Sequence, residues 1–376
     1  TGRYYASTKF MIYSIGGTLG MLLATQLIGY TTGTYEIAEI ASRTGEWLSR
    51  SAADTAFLGI SVGTVKALAF FGFFVAFAIK VPIWPFHTWL PDAHGEAPTA
   101  GSMLLAGIML KLGAYGFLRL VVPFFPDVWV AKLPLIGVTW ATAFAFLAML
   151  GIVLGAFAAF GQNDIKRLVA YSSVNHMGFV GIGIAVYAML YGTAYMAGNS
   201  AVSSASMVDA ITATNGAVLQ MFNHGLSSAG MFLLAGGLYH KTHTRDLSEY
   251  GGFWVKAPIF GGMFVFMSMS SLGLPGLNGF VSEFLVVRGA WPVFTWLTVI
   301  SMVGLLFTGS YILKGIRAVL HGPFNLHWKD YRLEIERTEF VAVLVLGVFI
   351  FLTGLWPNWI LETINASVTT LLNGIG

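Results

Sequence analysis

The chain has 376 residues, of which 56% are hydrophobic and 10% are charged, and apolar runs of about twenty residues recur along it. This composition is typical of polytopic helical membrane proteins and excludes an ordinary soluble core. The absence of cysteine excludes thiolate-bound iron–sulfur clusters, cysteine zinc sites, disulfides and cysteine nucleophiles, and a net charge of +3 gives no indication of nucleic-acid binding.

The apolar runs predict an all-α membrane fold with nine transmembrane spans. They cover residues 9–30, 65–89, 99–122, 133–159, 165–190, 213–239, 257–290, 293–316 and 338–357. Most of them are rich in Gly, Ala and Ser, which let helix backbones approach closely in lipid. The sequence therefore predicts a tightly packed bundle.

The loop lysines and arginines predict the orientation of the bundle. Twelve of them lie on one side: Arg3, Lys9, Lys166, Arg167, Lys241, Arg245, Lys256, Lys314, Arg317, Lys329, Arg332 and Arg337. Six lie on the other: Arg43, Arg50, Lys66, Arg119, Lys132 and Arg288. Because basic residues concentrate on the cytoplasmic side, the first group is assigned there, and the chain starts inside.

Two of the predicted spans are interrupted. Pro82 and Pro85 each remove a backbone donor and are expected to open the first of these helices just after Lys80. Residues 257–290 would be about 50 Å long as a single helix, and SLGLPGLNGF, which contains Pro275, is expected to divide them into two half-helices. Paired broken helices indicate an inverted-repeat transporter with its ion site at the breaks.

Three ionisable residues fall well inside the apolar spans, namely Lys80, Lys111 and Glu283. A charge at the bilayer centre costs at least about 2.5 kcal/mol, so such residues face a bundle interior or a wet cavity. His176 and His224 also lie near the middle of their spans, and histidine can relay a proton through its two nitrogens. Together the five residues predict a polar, proton-carrying file.

Simpler interpretations of the same residues stay open. Lys80 can snorkel to an interface, Glu283 can cap or pair with a half-helix, and each histidine can be a hydrogen-bonded packing residue. A further set, His87, Asp92, His94 and Glu96, has a spacing that fits no standard zinc pattern, and a re-entrant or interfacial turn is favoured there. We therefore predict no metal and no cofactor in the chain.

Four long segments are similar to the antiporter-like proton-pumping subunits of respiratory complex I. They are FAIKVPIWPFHTWLPDAHGEAPTAGSMLLAGIMLKLGAYGFLRL, NDIKRLVAYSSVNHMGF, HGLSSAGMFLLAGGLYHKTHTRDLSEYGG and SLGLPGLNGFVSEF, in this order. The chain most resembles the subunit M branch, the counterpart of mitochondrial chain 4, because Glu283 stands where the subunit L branch and related antiporters usually have lysine.

This resemblance implies a fourteen-helix fold built of two inverted repeats, in which the nine spans are helices six to fourteen. The chain begins at Thr1 rather than Met, and we expect it to be N-terminally incomplete, so that the family's fifth-helix glutamate, partner of the Lys80 position, precedes it. We divide the chain into residues 1–122, the C-terminal part of the first repeat; 123–316, the second repeat; and 317–376, a cytoplasmic loop, the last transmembrane helix and a tail.

The resemblance also implies a function and roles for the five residues. Quinone reduction in partner subunits, which hold FMN, iron–sulfur clusters and quinone, drives a proton from Lys80, the switch, through Lys111 and the two histidines, His176 and His224, toward Glu283, the terminal gate. The implied partners are the other membrane-arm subunits, including the L-type and N-type ones, and the bilayer. The expected location is the bacterial plasma membrane, with the mitochondrial inner or thylakoid membrane as alternatives.

Two other functions stay open from the sequence. One is a subunit of a multisubunit sodium/proton antiporter or of a membrane-bound hydrogenase. The other is a scaffold, in which the polar residues only hold neighbouring subunits together.

Overall fold

The computed structural model describes residues 2–42, 54–57, 59–197 and 204–373, and these residues are predominantly helical. In chain order the helices are α1 (Gly2–Thr32), α2 (Ile37–Ser42), α3 (Val62–Lys80), α4 (Trp89–Glu96), α5 (Thr99–Phe124), α6 (Pro126–Val130), α7 (Trp140–Phe160), α8 (Ile165–Met196), α9 (Ser204–Thr242), α10 (Pro258–Leu272), α11 (Asn278–Ala290), α12 (Thr295–Leu320), α13 (Arg337–Leu355) and α14 (Asn358–Asn373). Strands β1 (Thr55–Phe57) and β2 (Ile60–Ser61) form a small antiparallel pair.

Within the described ranges, seven helices are long and apolar enough to cross a membrane, namely α1, α3, α5, α7, α8, α12 and α13. They match seven of the nine predicted spans. The remaining two are α9, which carries many polar side chains, and the broken pair α10 and α11, whose halves are each shorter than a bilayer. The prediction of an all-α bundle with two discontinuous helices is confirmed.

Some predicted boundaries differ from the structure. The span predicted at residues 133–159 begins only at Trp140, because a tight turn precedes it, in which the Lys132 and Thr139 backbones pair and Gly137 has a positive φ of 66°. Helix α14, in the predicted tail, was not predicted. Its apolar side is narrow, with Ile364, Val368 and Leu372 buried at four-residue spacing, so a search for long apolar runs does not detect it.

The first break follows Lys80, as predicted. Helix α3 ends at that residue, the chain runs through the two prolines without helical structure, and α4 continues from Trp89. The Trp89 indole donates a hydrogen bond to the Ile79 carbonyl over 3.1 Å. That bond satisfies a backbone group left without a helical partner by the break, which a membrane interior requires.

The second break lies between α10 and α11, also as predicted. Gly273 ends α10 in the left-handed conformation, with φ of 78°, and Pro275 follows in the non-helical connection. The Asn223 side chain on α9 donates to the backbone carbonyl of Asn278 over 2.7 Å. The start of α11 is therefore held by a side-chain hydrogen bond from α9, while Leu274 and Pro275 of the connection are exposed.

Helix α8 lies at the centre of the bundle, with most of its residues buried against α7 and α9. A Cβ at Gly178 would lie 2.8 Å from the Ala148 carbonyl oxygen, and one at Gly183 would lie 2.8 Å from that of Ala213. Glycine is required at both positions because the helix backbones touch there. This close packing fixes the position of His176 on the same helix.

Candidate functional site

Lys111 and His224 are in direct contact across α5 and α9. The Lys111 ammonium donates to Nδ1 of His224 over 2.7 Å and also to the Ala106 carbonyl. Lys111 sits between two π-helical turns, Leu105–Met109 and Phe117–Val121, which are frequent at functional sites. His224 is buried, and its Nε2 has no partner in the described part of the chain.

His176 and Glu283 form a second buried contact, between α8 and α11. Nδ1 of His176 lies 2.8 Å from Oε1 of Glu283, and both side chains are buried. The hydroxyl of Tyr311 on α12 lies 3.4 Å from the other ring nitrogen of His176. The imidazole is therefore placed between a carboxylate and a phenol, both of which can exchange a proton with it.

The two contacts adjoin, because the rings of His176 and His224 have their centroids 5.8 Å apart. Four of the five predicted site residues thus form one file in the order Lys111, His224, His176, Glu283, in which Lys111 is partly buried and the other three are buried. The only spacing in the file wider than a hydrogen bond is the one between the two imidazoles.

A polar network surrounds Glu283, and the sequence analysis missed it. Gln220 donates to Oε1 of Glu283 over 3.0 Å, the Ser282 hydroxyl donates to Gln220, and Asn223 donates to Ser282 over 2.9 Å. Gln220, Asn223 and His224 lie on one turn of α9 in an otherwise apolar stretch, which is a signal that the sequence contains. The other end of the Glu283 carboxylate, Oε2, points to Gly273 at the break, only 3.1 Å from where a Cβ at that glycine would be.

Lys80 stands apart from this file. It is the last residue of α3 and is partly buried, and its ammonium makes no hydrogen bond or ion pair with any described residue. Its side chain passes α5 at Gly113, where an added Cβ would lie 2.7 Å from the Lys80 Cβ and 2.9 Å from the Val81 nitrogen. Lys80 thus contacts the helix that carries Lys111 without being joined to it by a hydrogen bond.

Replacing Gly113 by alanine is expected to force α5 away from the first break. Overpacking against backbone typically costs about 1–3 kcal/mol, so Gly113→Ala should lower the thermal unfolding temperature of the purified protein. Gly107→Ala on the same helix is the control, since its Cβ would meet only ordinary contacts at 3.7 Å and beyond. Equal unfolding temperatures for the two variants would contradict the close approach at Gly113.

The half-helix beyond the first break is tied to its neighbours by ion pairs. Asp92 on α4 accepts hydrogen bonds from Lys9 on α1 over 2.8 Å and from Arg167 on α8 over 3.0 Å. Asp164 caps α8 and also pairs with Arg245 over 3.1 Å. These ties connect α4 to both α1 and α8.

The turn after α9 is stabilised by hydrogen bonds to the exposed Asp246. The backbone amide of Ser248 and its hydroxyl both donate to Asp246 and hold the pKa of that carboxyl below its usual value. The Leu247 amide donates to the Asn163 carbonyl and the Ile165 amide donates to the Arg245 carbonyl. The turn is therefore bound to the start of α8.

His94 is the most unusual polar side chain near this end. It is completely buried, its ring stacks on Phe232 at 4.3 Å, and neither ring nitrogen has a partner among the residues that the structure covers. The structure places His87, Asp92, His94 and Glu96 in the turn after α3 and in α4, and no cluster of three or more metal-binding side chains is found in the described ranges.

Comparison with known proteins gives the family. Residues 1–204 and 200–308 match the family described as "NADH:quinone oxidoreductase/Mrp antiporter, TM". NADH-quinone oxidoreductase subunit M of Pseudomonas aeruginosa is 38% identical over 374 residues, which are 100% of this chain and 65% of that protein. The chain thus spans slightly less than two thirds of the length of the first curated relatives it matches, at 64 to 66%.

Two solved structures have the same fold. A chain of respiratory complex I from Thermus thermophilus with bound NADH is 24% identical, with a TM-score of 0.79 and coverage of 100% of this chain and 70% of that one. A chain of the Mrp complex from Dietzia sp. DQ12-45-1b is 18% identical, with a TM-score of 0.77 and the same coverage. The match along residues 1–308, the two broken helices and these shared folds together place the chain in the NADH:quinone oxidoreductase/Mrp antiporter transmembrane family.

Proposed function

We propose that the chain translocates protons as a membrane-arm subunit of a redox-driven NADH–quinone oxidoreductase. The observation that carries this proposal is the file from Lys111 through His224 and His176 to Glu283. Burying a lysine, two histidines and a glutamate in an apolar bundle is costly, and such groups typically mark ion or proton pathways. The names of the curated relatives, NADH-quinone oxidoreductase subunit M, support the same assignment.

The contacts of the file suit stepwise proton transfer. In the pair of Lys111 and His224, the ammonium donates to an imidazole nitrogen that can take its proton. A proton then leaves the other nitrogen of His224 toward His176, which passes it to Glu283 over a 2.8 Å contact. The centroids of the two rings are 5.8 Å apart, so a proton passes between them only through a bridging water molecule or after a small ring movement. This step controls the transfer.

Lys80 is proposed as the switch that precedes this file. Its ammonium is unpaired among the described residues and lies at the end of the helix that precedes the first break. A change of charge in a neighbouring subunit shifts the balance between its protonated and neutral forms, because charges interact strongly at low dielectric. Neutral Lys80 favours the protonated form of nearby Lys111, and charged Lys80 opposes it.

The redox cofactors and the quinone site are proposed to lie in partner subunits. FMN, iron–sulfur clusters and quinone would be bound there, and this chain would contact other antiporter-like and small membrane-arm subunits in the bacterial plasma membrane. On this proposal the chain is part of an enzyme, a translocase, and performs no redox chemistry itself. Its contribution is the proton path.

Replacing Lys80 by methionine tests the function. The complex that contains the chain is reconstituted into vesicles, and proton uptake is measured together with quinone reduction. Lys80→Met should assemble normally and lose proton translocation, because the switch is removed. Lys329→Met, which removes an exposed lysine on the cytoplasmic side, is the control and should behave like the unmodified complex.

The outcomes separate the competing functions. Normal proton translocation by an assembled Lys80→Met complex would overturn the proton-path proposal and favour a scaffold. Sodium-dependent proton exchange without any redox partner would instead favour a multisubunit antiporter.

A further inference from the structure

A basic cavity lies at the cytoplasmic end of α12, away from the proton file. Its volume is about 650 Å³, and its lining includes Lys314, Arg317 and His321, with Phe160 of α7 and Tyr250 of the turn after α9. The three basic residues follow one another at spacings of three and four along α12 and its C-terminal end, so they share one side of the helix.

The charges of this cavity are unbalanced. Lys314 is held in place, donating to the carbonyls of Phe160 and Gln162 over 2.7 Å each. Arg317 is exposed, and its guanidinium makes no hydrogen bond or ion pair within the residues that the structure covers, which leaves five donors free. His321 is also exposed, and its ring stacks on Trp254.

A second polar cavity on the same side provides the contrast. That cavity, of about 370 Å³, contains Arg3, Lys166 and Arg245, but also Glu96, whose carboxylate pairs with Arg3 and Arg245. In the α12 cavity the charged lining residues are all basic and no carboxylate lines it. No carboxylate therefore cancels the positive electrostatic field of this cavity, and the field can attract an anion.

Exposed apolar side chains continue from the cavity along α7 and α12. They are Phe160, Leu313, Phe157 and Leu306, and they form an apolar strip. The rings of Phe157 and Phe307, with their centroids 4.1 Å apart, join the two helices there. A basic pocket beside an exposed apolar strip has the two chemistries of one amphiphile.

We propose that the α12 cavity binds the phosphate headgroup of an anionic phospholipid of the cytoplasmic leaflet, with the acyl chains against the exposed apolar strip of α7 and α12. Arg317 binds the phosphate oxygens in a bidentate manner, while Lys314 adds positive charge on one side and the His321 ring can donate a hydrogen bond on the other. Basic pockets between membrane helices on the cytoplasmic side recognise such headgroups, and the exposed Trp254 beside His321 is of a residue type enriched at membrane–water interfaces. This site is independent of the proton path.

The test uses the intact membrane complex that contains the chain, in phosphatidylcholine vesicles with a minor fraction of photoactivatable phosphatidylglycerol. Crosslinking to the chain is measured while unlabelled phosphatidylglycerol competes. Arg317→Gln should weaken the apparent affinity about fivefold, the contribution of roughly one basic residue near a membrane surface. Ser310→Trp, which fills the cavity from its wall, should abolish specific crosslinking.

Arg332→Gln is the matched control, because Arg332 is an exposed arginine of the same side that does not line the cavity. It should retain the affinity of the unmodified complex. Equal affinity in the Arg317→Gln and Arg332→Gln complexes would overturn the proposal, as would equally good competition by unlabelled phosphatidylcholine. Displacement by inorganic phosphate would show a free-phosphate site and would also overturn it.

Discussion

Glu283→Gln is expected to abolish proton translocation while the complex assembles. The amide keeps the size of the carboxylate and can still bond to His176 and Gln220, which lie 2.8 and 3.0 Å away. It cannot accept and release a proton, however, and a positioned acid or base typically contributes 10²-fold or more, so the pumping rate should fall by about that factor. The measurement is the initial rate of vesicle acidification per quinone reduced.

Glu362→Gln controls for the loss of one carboxylate, because Glu362 is exposed on α14 and makes no contact with the file. Glu283→Asp adds a geometric test. Its side chain is one methylene shorter, so it keeps the acid but lengthens the contact with His176, and an intermediate rate is expected. Full pumping by the assembled Glu283→Gln complex would exclude Glu283 as a proton acceptor.

Lys111→Met is expected to lower proton translocation by a similar factor, because it interrupts the file at the end opposite to Glu283. Methionine fills the space of the lysine but leaves Nδ1 of His224 without its donor, so the file is cut at its first contact. Proton translocation should again fall by about 10²-fold. Lys132→Met, which removes an exposed lysine in the turn before α7, should leave the rate unchanged.

A double variant makes this prediction sharper. If Lys111 and His224 act in one path, then Lys111→Met combined with His224→Leu should be no slower than Lys111→Met alone, since residues that act as a unit are not additive. Multiplicative losses would indicate two separate paths. In that case the order of the file would be wrong.

The breaks and the buried ionisable residues could be predicted because each violates a strong rule of membrane interiors. Prolines after Lys80, and Pro275 between glycines, cannot continue a helix, and the nine spans contain very few other charged residues. The structure then placed the predicted residues Lys111, His224, His176 and Glu283 in contact. Their proposed roles and the division into repeats stay predictions.

The pairing within the file could not be predicted, since it depends on which helix faces meet. Lys111 and His224 are 113 residues apart, and no local pattern specifies that α5 crosses α9 at that level. The partners of Glu283 were missed because Gln220 and Asn223 read as ordinary polar residues. The burial of His94 without partners was also missed, because its neighbours in the sequence resemble those of an interfacial turn.

The ion pair between Asp92 and Arg167 joins two parts of the bundle that the sequence keeps far apart. Asp92 lies on the half-helix beyond the first break, and Arg167 lies nine residues before His176 on α8. The central imidazole is therefore about 13 Å along the axis of the helix to which this half-helix is attached. The first break and the middle of the proton file are, for this reason, mechanically connected through α8.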